Sequence, residues 1–171
     1  MAGNPNPTSK PSPTAIDGVV IQDLSWFSDQ RGSLSVLLRA DQAALFGDHF
    51  GQAYVTTVFP GVVKAWHRHA RQRDRMVGLL GQTLLVMLDG REGSPTRGEF
   101  VEVAFGTRRH CLVTIPAGVW HGFKNIGPSE SMVLNLPDVP YDGASPDEER
   151  VDPHGPPGPG LPAYDWDRRD G

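Results

Sequence analysis

Three histidines and one aspartate lie at spacings that suit chemistry on a small molecule. His67 and His69 are two residues apart, so on a β-strand their imidazoles would point to the same side. Asp74 follows five residues later, and His121 lies in a second segment, IPAGVWHGFKN at residues 115–125. Imidazole and carboxylate groups that converge inside a β-barrel can hold a Zn, Fe, Ni or Mn ion. The alternative is a solvated basic turn, because several arginines surround the first pair.

The elements that would position these residues are short β-strands. Gly, Pro, Asn or Asp stands at most junctions between strand-like segments. Strands are expected at residues 18–23, 33–39, 52–59, 62–67, 75–80, 82–88, 99–105, 111–115, 119–125 and 131–136. Residues 40–46 form the only expected helix, which is short. About ten short strands without a long amphipathic helix predict an all-β sandwich or barrel, of which a jelly roll is one form.

Length and composition indicate one domain between two low-complexity ends. The chain has 171 residues, which suits a single domain. Residues 1–14 are rich in proline and are expected to form a disordered arm. Residues 15–140 are expected to form the β domain, and residues 141–171 a Pro/Gly-rich tail that packs on the barrel through its aromatic side chains.

Composition and charge exclude several classes of protein. No apolar run approaches the roughly 20 residues of a membrane helix, so we expect no membrane partner. We also expect no secretory signal, and the single cysteine, Cys111, excludes an internal disulfide and favours the cytoplasm. The formal net charge of −4 argues against a general nucleic-acid binder.

The two histidine segments together resemble the two sequence motifs of the cupin superfamily. Asp74 stands where the first motif usually has Glu, and the other offsets match. The matching residues are Gly61, His67, His69, Asp74 and Gly81 in the first motif, and Pro116, Gly118, His121 and Asn125 in the second. This resemblance implies the cupin fold, a double-stranded β-helix or jelly roll in a single domain.

A narrower resemblance, to the dTDP-4-dehydrorhamnose 3,5-epimerase group of cupins, extends from about residue 28 to residue 166. It is carried by SDQRG at residues 28–32, GSPTRG at residues 93–98 and IPAGVWHGF at residues 115–123. That group inverts carbons beside a 4-keto group on a nucleotide sugar. A base removes the acidified proton, a cation stabilises the enolate, and an acid returns a proton on the other face. The resemblance thus implies an isomerase of a 4-keto-6-deoxy sugar nucleotide that requires no cofactor.

The same resemblance implies roles for individual residues. His67 occupies the position of the base, and Asp152 is the expected carboxylate that orients its imidazole. Arg75 occupies the position of the catalytic lysine, where it can stabilise an enolate but cannot shuttle a proton at neutral pH.

The acid is harder to assign from the resemblance. The catalytic tyrosine of the epimerase group corresponds to a position near Leu134 or Asn135, and this chain has no tyrosine there. Tyr54 and Tyr141 are the candidates to replace it, and Tyr141 is predicted to be catalytic. The residues predicted to bind the substrate are Arg31, Gln52, Tyr54, Lys64, Trp66 and His121.

Three functions stay open on the sequence alone. The first is the nucleotide-sugar epimerase. The second is a metal-dependent cupin enzyme acting on another small molecule, with His67, His69, Asp74 and His121 as ligands. The third is a non-catalytic sugar-binding cupin. We favour the first, because the Ser-Pro-Thr and His-Gly-Phe segments belong to the epimerase group and are not needed by cupins in general.

A homodimer is the expected assembly. The resemblance implies that N-terminal strands are exchanged between the sheets of two copies. Residues 18–21 form an apolar strand of the kind that such an exchange needs, and an unpaired strand edge would otherwise invite aggregation.

Overall fold

The segments between Gly-, Pro- and Asn-containing turns form β-strands. The computed structural model of the protein describes residues 10–42 and 49–168, which contain thirteen strands and no helix. The strands are β1 (Ser12–Pro13), β2 (Val20–Asp23), β3 (Trp26–Asp29), β4 (Gly32–Ser35), β5 (Tyr54–Val58), β6 (Val63–Arg68), β7 (Asp74–Leu80), β8 (Gln82–Asp89), β9 (Phe100–Gly106), β10 (Cys111–Ile115), β11 (Val119–Asn125), β12 (Ser131–Asn135) and β13 (Glu149–Arg150). Every predicted strand segment overlaps one of them.

The strands form two facing antiparallel sheets and a separate hairpin. The six-stranded sheet has the order β1-β2-β10-β7-β12-β5, and the five-stranded sheet has the order β13-β6-β11-β8-β9. Strands β3 and β4 pair only with each other. This arrangement confirms the predicted all-β, jelly-roll class in a single domain. No helix in the described residues is long and apolar enough to span a membrane.

An apolar cluster fills the space between the two sheets. Side chains alternate along β8, so Leu85 and Met87 face this cluster while Val86 and Leu88 face a second cluster on the outer side. Because both faces of β8 are buried, its sequence is a continuous apolar run. The five-stranded sheet is therefore a middle layer with apolar packing on both sides.

The C-terminal tail supplies the outer covering of the five-stranded sheet. Tyr164 and Trp166 are buried there, and the Trp166 ring lies 5.1 Å from the Trp66 ring between centroids. The Trp166 indole donates to the carbonyl oxygen of Pro153 over 3.0 Å. The tail is thus part of the packed structure.

The N-terminal segment differs in part from the expected disordered arm at residues 1–14. Ser12–Pro13 forms β1 on the edge of the six-stranded sheet, paired with β2. The open edge of β2 provides backbone groups to pair with, and an edge position tolerates a proline, which lacks an amide hydrogen. Residues 1–9, and residues 43–46 of the predicted helix, lie outside the described residues.

Candidate active site

The structure brings the three histidines together on the five-stranded sheet. His67 on β6 is the cross-strand partner of His121 on β11, and their ring centroids are 4.1 Å apart. His69, just beyond the end of β6, lies 5.9 Å from each of them. One ring nitrogen of each histidine lies within 4.8 Å of the other two. These three residues are called the histidine cluster below.

A glycine makes this close approach of β6 and β11 feasible. Gly122 follows His121, and a Cβ atom at this position would lie only 2.1 Å from the Cβ of Ala65. The strand register also shifts between His121 and Phe123, which re-aims the side chains on either side of the irregularity. The close approach of β6 and β11 therefore explains why a glycine stands between His121 and Phe123.

Asp74 meets the histidine cluster from the opposite sheet. Its Oδ2 atom lies 3.1 Å from Nε2 of His121 and 3.4 Å from Nε2 of His69. Its Oδ1 atom accepts hydrogen bonds from Gln72 at 2.8 Å and Asn135 at 2.7 Å. Burial would raise the pKa of Asp74, but the adjacent imidazoles and the Asn135 amide outweigh it and hold the pKa below its ordinary value. Asp74 is therefore a carboxylate.

Backbone carbonyl groups orient two of the imidazoles. Nδ1 of His121 lies 3.0 Å from the carbonyl oxygen of Val119, and Nδ1 of His69 contacts the carbonyl oxygen of Asp147. A carbonyl oxygen only accepts, so each Nδ1 carries a hydrogen, and the Nε2 atom of each ring faces Asp74. Nε2 of His121 is buried and, despite its distance from Asp74, has no hydrogen-bond partner.

The loop that carries His69 is held by the segment before β13. The Asp147 carboxylate accepts hydrogen bonds from the backbone amides of Ala70, Arg71 and Gln72, at 2.9–3.1 Å. These bonds hold the pKa of Asp147 below its ordinary value against the effect of burial. The loop and the start of the C-terminal tail are thus one unit around His69.

His67 differs from the other two histidines because it borders a cavity. The cavity has a volume of about 390 Å³ and lies between the sheets, with Tyr54, Lys64, Met76 and Asn135 also on its wall. Burial is the main cause that holds the pKa of His67 well below its ordinary value, and the neighbouring imidazole of His121 acts in the same direction. His67 is therefore a neutral imidazole at neutral pH, with the ability to accept a proton.

A second cavity adjoins the first and opens towards the tail. Its volume is about 340 Å³, and Tyr54 and Arg150 lie on the walls of both. Gln52 and Tyr141 border only the second cavity, where the amide of Tyr141 donates to the side chain of Gln52 over 3.2 Å. Tyr141 is 64% exposed.

Three predicted site residues border neither cavity and lie outside the group formed by the histidine cluster and Asp74. Arg75 faces the outer side of the six-stranded sheet and donates to the carbonyl of Leu136 over 2.9 Å, because Asp74 and Met76 occupy the inward positions on β7. Arg75 thus lies on the face of β7 that points away from the cavity, and its role as the enolate-stabilising cation stays a prediction.

Asp152 is exposed, and its carboxylate accepts the amide hydrogen of His154 over 2.8 Å instead of orienting His67. The carboxylate that does contact the histidine cluster is Asp74. Arg31 lies at the tip of the β3–β4 hairpin, with its side chain 80% exposed and paired with Asp29 at 2.5 Å. Neither described cavity includes Arg31.

Trp66 lies between the cavity and the outer apolar cluster. The residue borders the cavity, but its ring packs in the outer cluster against Tyr164 and Trp166. Its main contacts are therefore with the tail, and its substrate-binding role stays a prediction.

Two residues near the site were missed by the sequence analysis. Arg150 on β13 pairs in register with His67 and borders both cavities. Asn135 on β12 connects Asp74 to the Tyr54 hydroxyl. Asn135 could have been found, since it lies where a catalytic tyrosine was expected, but nothing in the charged segment around Arg150 indicates a strand.

The fold and these contacts can be compared with known proteins. The sequence model of the dTDP-4-dehydrorhamnose 3,5-epimerase family matches residues 13–152. The chain belongs to this family. It is therefore a cupin of the epimerase and isomerase class, as the resemblance implied.

Members and neighbours of the epimerase family match most of the chain. A probable low-salt glycan biosynthesis epimerase, Agl13 of Haloferax volcanii, is 39% identical over 80% of this chain and 87% of its own length. The structure of a dTDP sugar isomerase from Desulfovibrio desulfuricans is 30% identical, with a TM-score of 0.81 and coverage of 91% of this chain and 95% of that one. NovW, a 4-keto-6-deoxy sugar epimerase of Streptomyces spheroides, is 26% identical, with a TM-score of 0.82 and coverage of 98% and 84%.

Proposed function

We propose that the protein epimerises a nucleotide-linked 4-keto-6-deoxy sugar, with His67 as the base that removes the proton beside the ketone. The observation that carries this proposal is the neutral imidazole of His67 on the wall of a cavity large enough for a ligand. The substrate class follows from the similarity to NovW and to the dTDP sugar isomerase.

The reaction is a pair of proton transfers. A ketone acidifies the adjacent C–H bond, His67 accepts the proton, and the electron pair of that bond becomes the enolate. Return of a proton to the opposite face inverts the carbon, and no electrons are gained or lost, so the chemistry requires no redox cofactor.

We assign the positive charge for the enolate or for a diphosphate to Lys64, which was predicted to bind the substrate, and to Arg150, rather than to Arg75. Arg75 faces away from the cavity, whereas Lys64 and Arg150 border it. Arg150 is paired with Glu148 at 2.8 Å, and the Lys64 ammonium donates to the Thr57 carbonyl over 2.9 Å. We assign Lys64 as the residue that meets the anionic part of the substrate.

The proposal is tested by incubating the protein with a dTDP-linked 4-keto-6-deoxyhexose in D₂O. Deuterium should enter the carbon beside the ketone, and the inverted sugar should form. Replacing His67 by Ala should lower both rates by about 10²–10⁴-fold without unfolding the barrel. Full activity of that variant would remove His67 from the mechanism.

A divalent metal at the histidine cluster is a second candidate, favoured by one observation. Three imidazole nitrogens converge within 4.8 Å, and Nε2 of His121 is buried without a hydrogen-bond partner. His67, His69 and His121 would hold the ion, with Asp74 as a fourth ligand, and a bound metal would supply a Lewis acid for a carbonyl oxygen.

A homodimer in the cytoplasm remains part of the proposal. In the structure β2 pairs with β10 of the same chain, and the β3–β4 hairpin exposes Trp26, Phe27 and Leu34 by 39–52%. An exposed group of large apolar side chains is typical of a surface that contacts another copy or partner. Sedimentation as a monomer at micromolar concentration would contradict the dimer.

A further inference from the structure

Inversion of a carbon requires a second group in addition to the base. Once His67 has removed the proton, a planar enolate remains, and the inverted product forms only when a proton arrives from the opposite face. His67 belongs to the five-stranded sheet, so the donor is expected on the six-stranded sheet that faces it across the cavity.

The geometry points to Tyr54 as the acid that returns this proton, with Asn135 as the residue that positions it. This inference rests on the epimerase proposed above. Tyr54 lies on β5 of the six-stranded sheet, and it shares the wall of the same cavity with His67 on β6. Base and acid therefore border the ligand space from the two different sheets.

The hydrogen bonds of Asn135 fix the direction of the Tyr54 hydroxyl. Nδ2 of Asn135 lies 2.8 Å from the Tyr54 oxygen and 2.7 Å from Oδ1 of Asp74. Its Oδ1 atom accepts the backbone amide hydrogen of Arg75 over 3.0 Å, so the amide has one consistent orientation. Because Nδ2 can only donate, the Tyr54 oxygen accepts from it, and the phenolic hydrogen is left to point elsewhere.

The environment keeps this phenol protonated. Burial, followed by the negative charge of Asp74, raises the pKa of Tyr54, and the hydrogen bond from Asn135 offsets only part of this. A protonated phenol can donate its hydrogen to an enolate carbon, and the resulting phenolate is stabilised by the Asn135 amide until solvent returns a proton.

Other donors on the cavity wall are less suited to the role. Lys64 donates to a backbone carbonyl, and Arg150 is held in an ion pair and cannot release a proton at neutral pH. Tyr141, predicted from the sequence to be catalytic, borders the second cavity but not the one that contains His67. Tyr54 is therefore the better phenol of the two.

Replacing Tyr54 by Phe separates proton removal from inversion. The ring is retained and the hydroxyl is lost, so His67 can still remove a proton and return a deuteron to the same face. In D₂O the recovered dTDP-linked 4-keto-6-deoxyhexose should carry deuterium, while formation of the inverted sugar should fall by about 10²-fold or more. Tyr164→Phe is the matched control, because the Tyr164 hydroxyl bonds Glu102 in the outer cluster and borders neither cavity, and it should retain both processes within about twofold.

Each outcome decides the proposal. Deuterium uptake without inversion in Tyr54→Phe supports it, whereas inversion at the wild-type rate overturns it. A folded Tyr54→Phe protein that has lost uptake as well as inversion also overturns it, since the hydroxyl would then serve binding or the base. If the wild-type protein shows neither uptake nor inversion, the epimerase proposal fails, and the role of Tyr54 fails with it.

Discussion

His121 and Asp74 meet across the barrel, with Nε2 of the imidazole 3.1 Å from Oδ2 of the carboxylate and side chains that are only 2% and 1% exposed. His121 belongs to the five-stranded sheet and Asp74 to the six-stranded sheet. The contact therefore joins the two layers at the histidine cluster. Through Asn135 it also reaches Tyr54, so base, carboxylate and proposed acid form one connected group.

Loss of the Asp74 charge should destabilise the fold. Asp74→Asn keeps the shape of the side chain but removes the negative charge that accepts the buried hydrogen bonds of Gln72 and Asn135, and a hydrogen bond to a charged group contributes about 1.5–3 kcal/mol. The free energy of unfolding measured in urea should fall accordingly. Asp167→Asn, in an exposed ion pair with Lys124, is the matched control and should change nothing measurable. Equal stability of the two variants would contradict the importance of the buried contact.

The pH dependence of activity should reflect the lowered pKa of His67. The base must be neutral to accept a proton, and its pKa in the folded protein lies well below the ordinary value of 6.5. Activity should therefore be retained as the pH falls through 6.5, and should be lost only when the pH passes the lower pKa of the folded state. The measurement is the pH profile of kcat/KM with substrate well below KM. Loss of activity already at or above pH 6.5 would show that the base is not a histidine whose pKa is lowered.

Much of the fold could be predicted because its signals are local. Turn residues between short apolar segments located the strands, and the spacing of His67, His69 and His121 indicated a shared site. Strand β13 escaped prediction because Glu149–Arg150 has no apolar pattern, and it forms only because the tail brings it beside β6. Strand β3 was also missed, since its four residues are exposed and lie outside the alternating pattern of a buried sheet.

The sequence predicts that β7 is a strand, but not which of its two faces points into the barrel. Alternation requires Asp74 and Arg75 to point to opposite sides, but it does not say which side is inside. The resemblance placed Arg75 at the site, whereas the structure turns Asp74 and Met76 inwards. Asp152 is a similar case, because the partner of an exposed carboxylate depends on how the tail folds.

A substitution at Gly122 should disrupt the site without touching a catalytic group. In Gly122→Ala the new methyl group would meet Ala65 at 2.1 Å, so β6 and β11 must move apart and separate His67 from His121. Crowding of this kind costs about 1–3 kcal/mol, and epimerisation should be lost even where the protein stays folded. Gly155→Ala is the control, since a Cβ there has nothing within 4 Å. Wild-type activity in Gly122→Ala would show that the close approach is not required.

Metal binding and base catalysis make opposite predictions for added Zn²⁺. If His67 acts as a free base, a metal held by the histidine cluster occupies its nitrogen, so Zn²⁺ should inhibit exchange and a chelator should restore it. Elemental analysis of protein purified without a histidine tag gives the occupancy. His69→Ala should lose zinc binding, while His154→Ala, in the exposed tail, should retain it. Activity that rises with added metal would instead support the metal-dependent candidate.

Lys64 should determine affinity for the nucleotide diphosphate. It borders the His67 cavity, whereas Arg31 and Arg75, the other predicted cations, lie elsewhere. Because a hydrogen bond to a charged group contributes about 1.5–3 kcal/mol, Lys64→Gln should weaken dTDP binding by roughly 10-fold or more. Lys124→Gln is the matched control, since that ammonium contacts the tail through Trp166 and Asp167. Calorimetric titration with dTDP gives both dissociation constants. Equal affinities for dTDP in the two variants would show that the diphosphate does not bind at Lys64. Binding of a free hexose but not of dTDP would count against a nucleotide-sugar substrate.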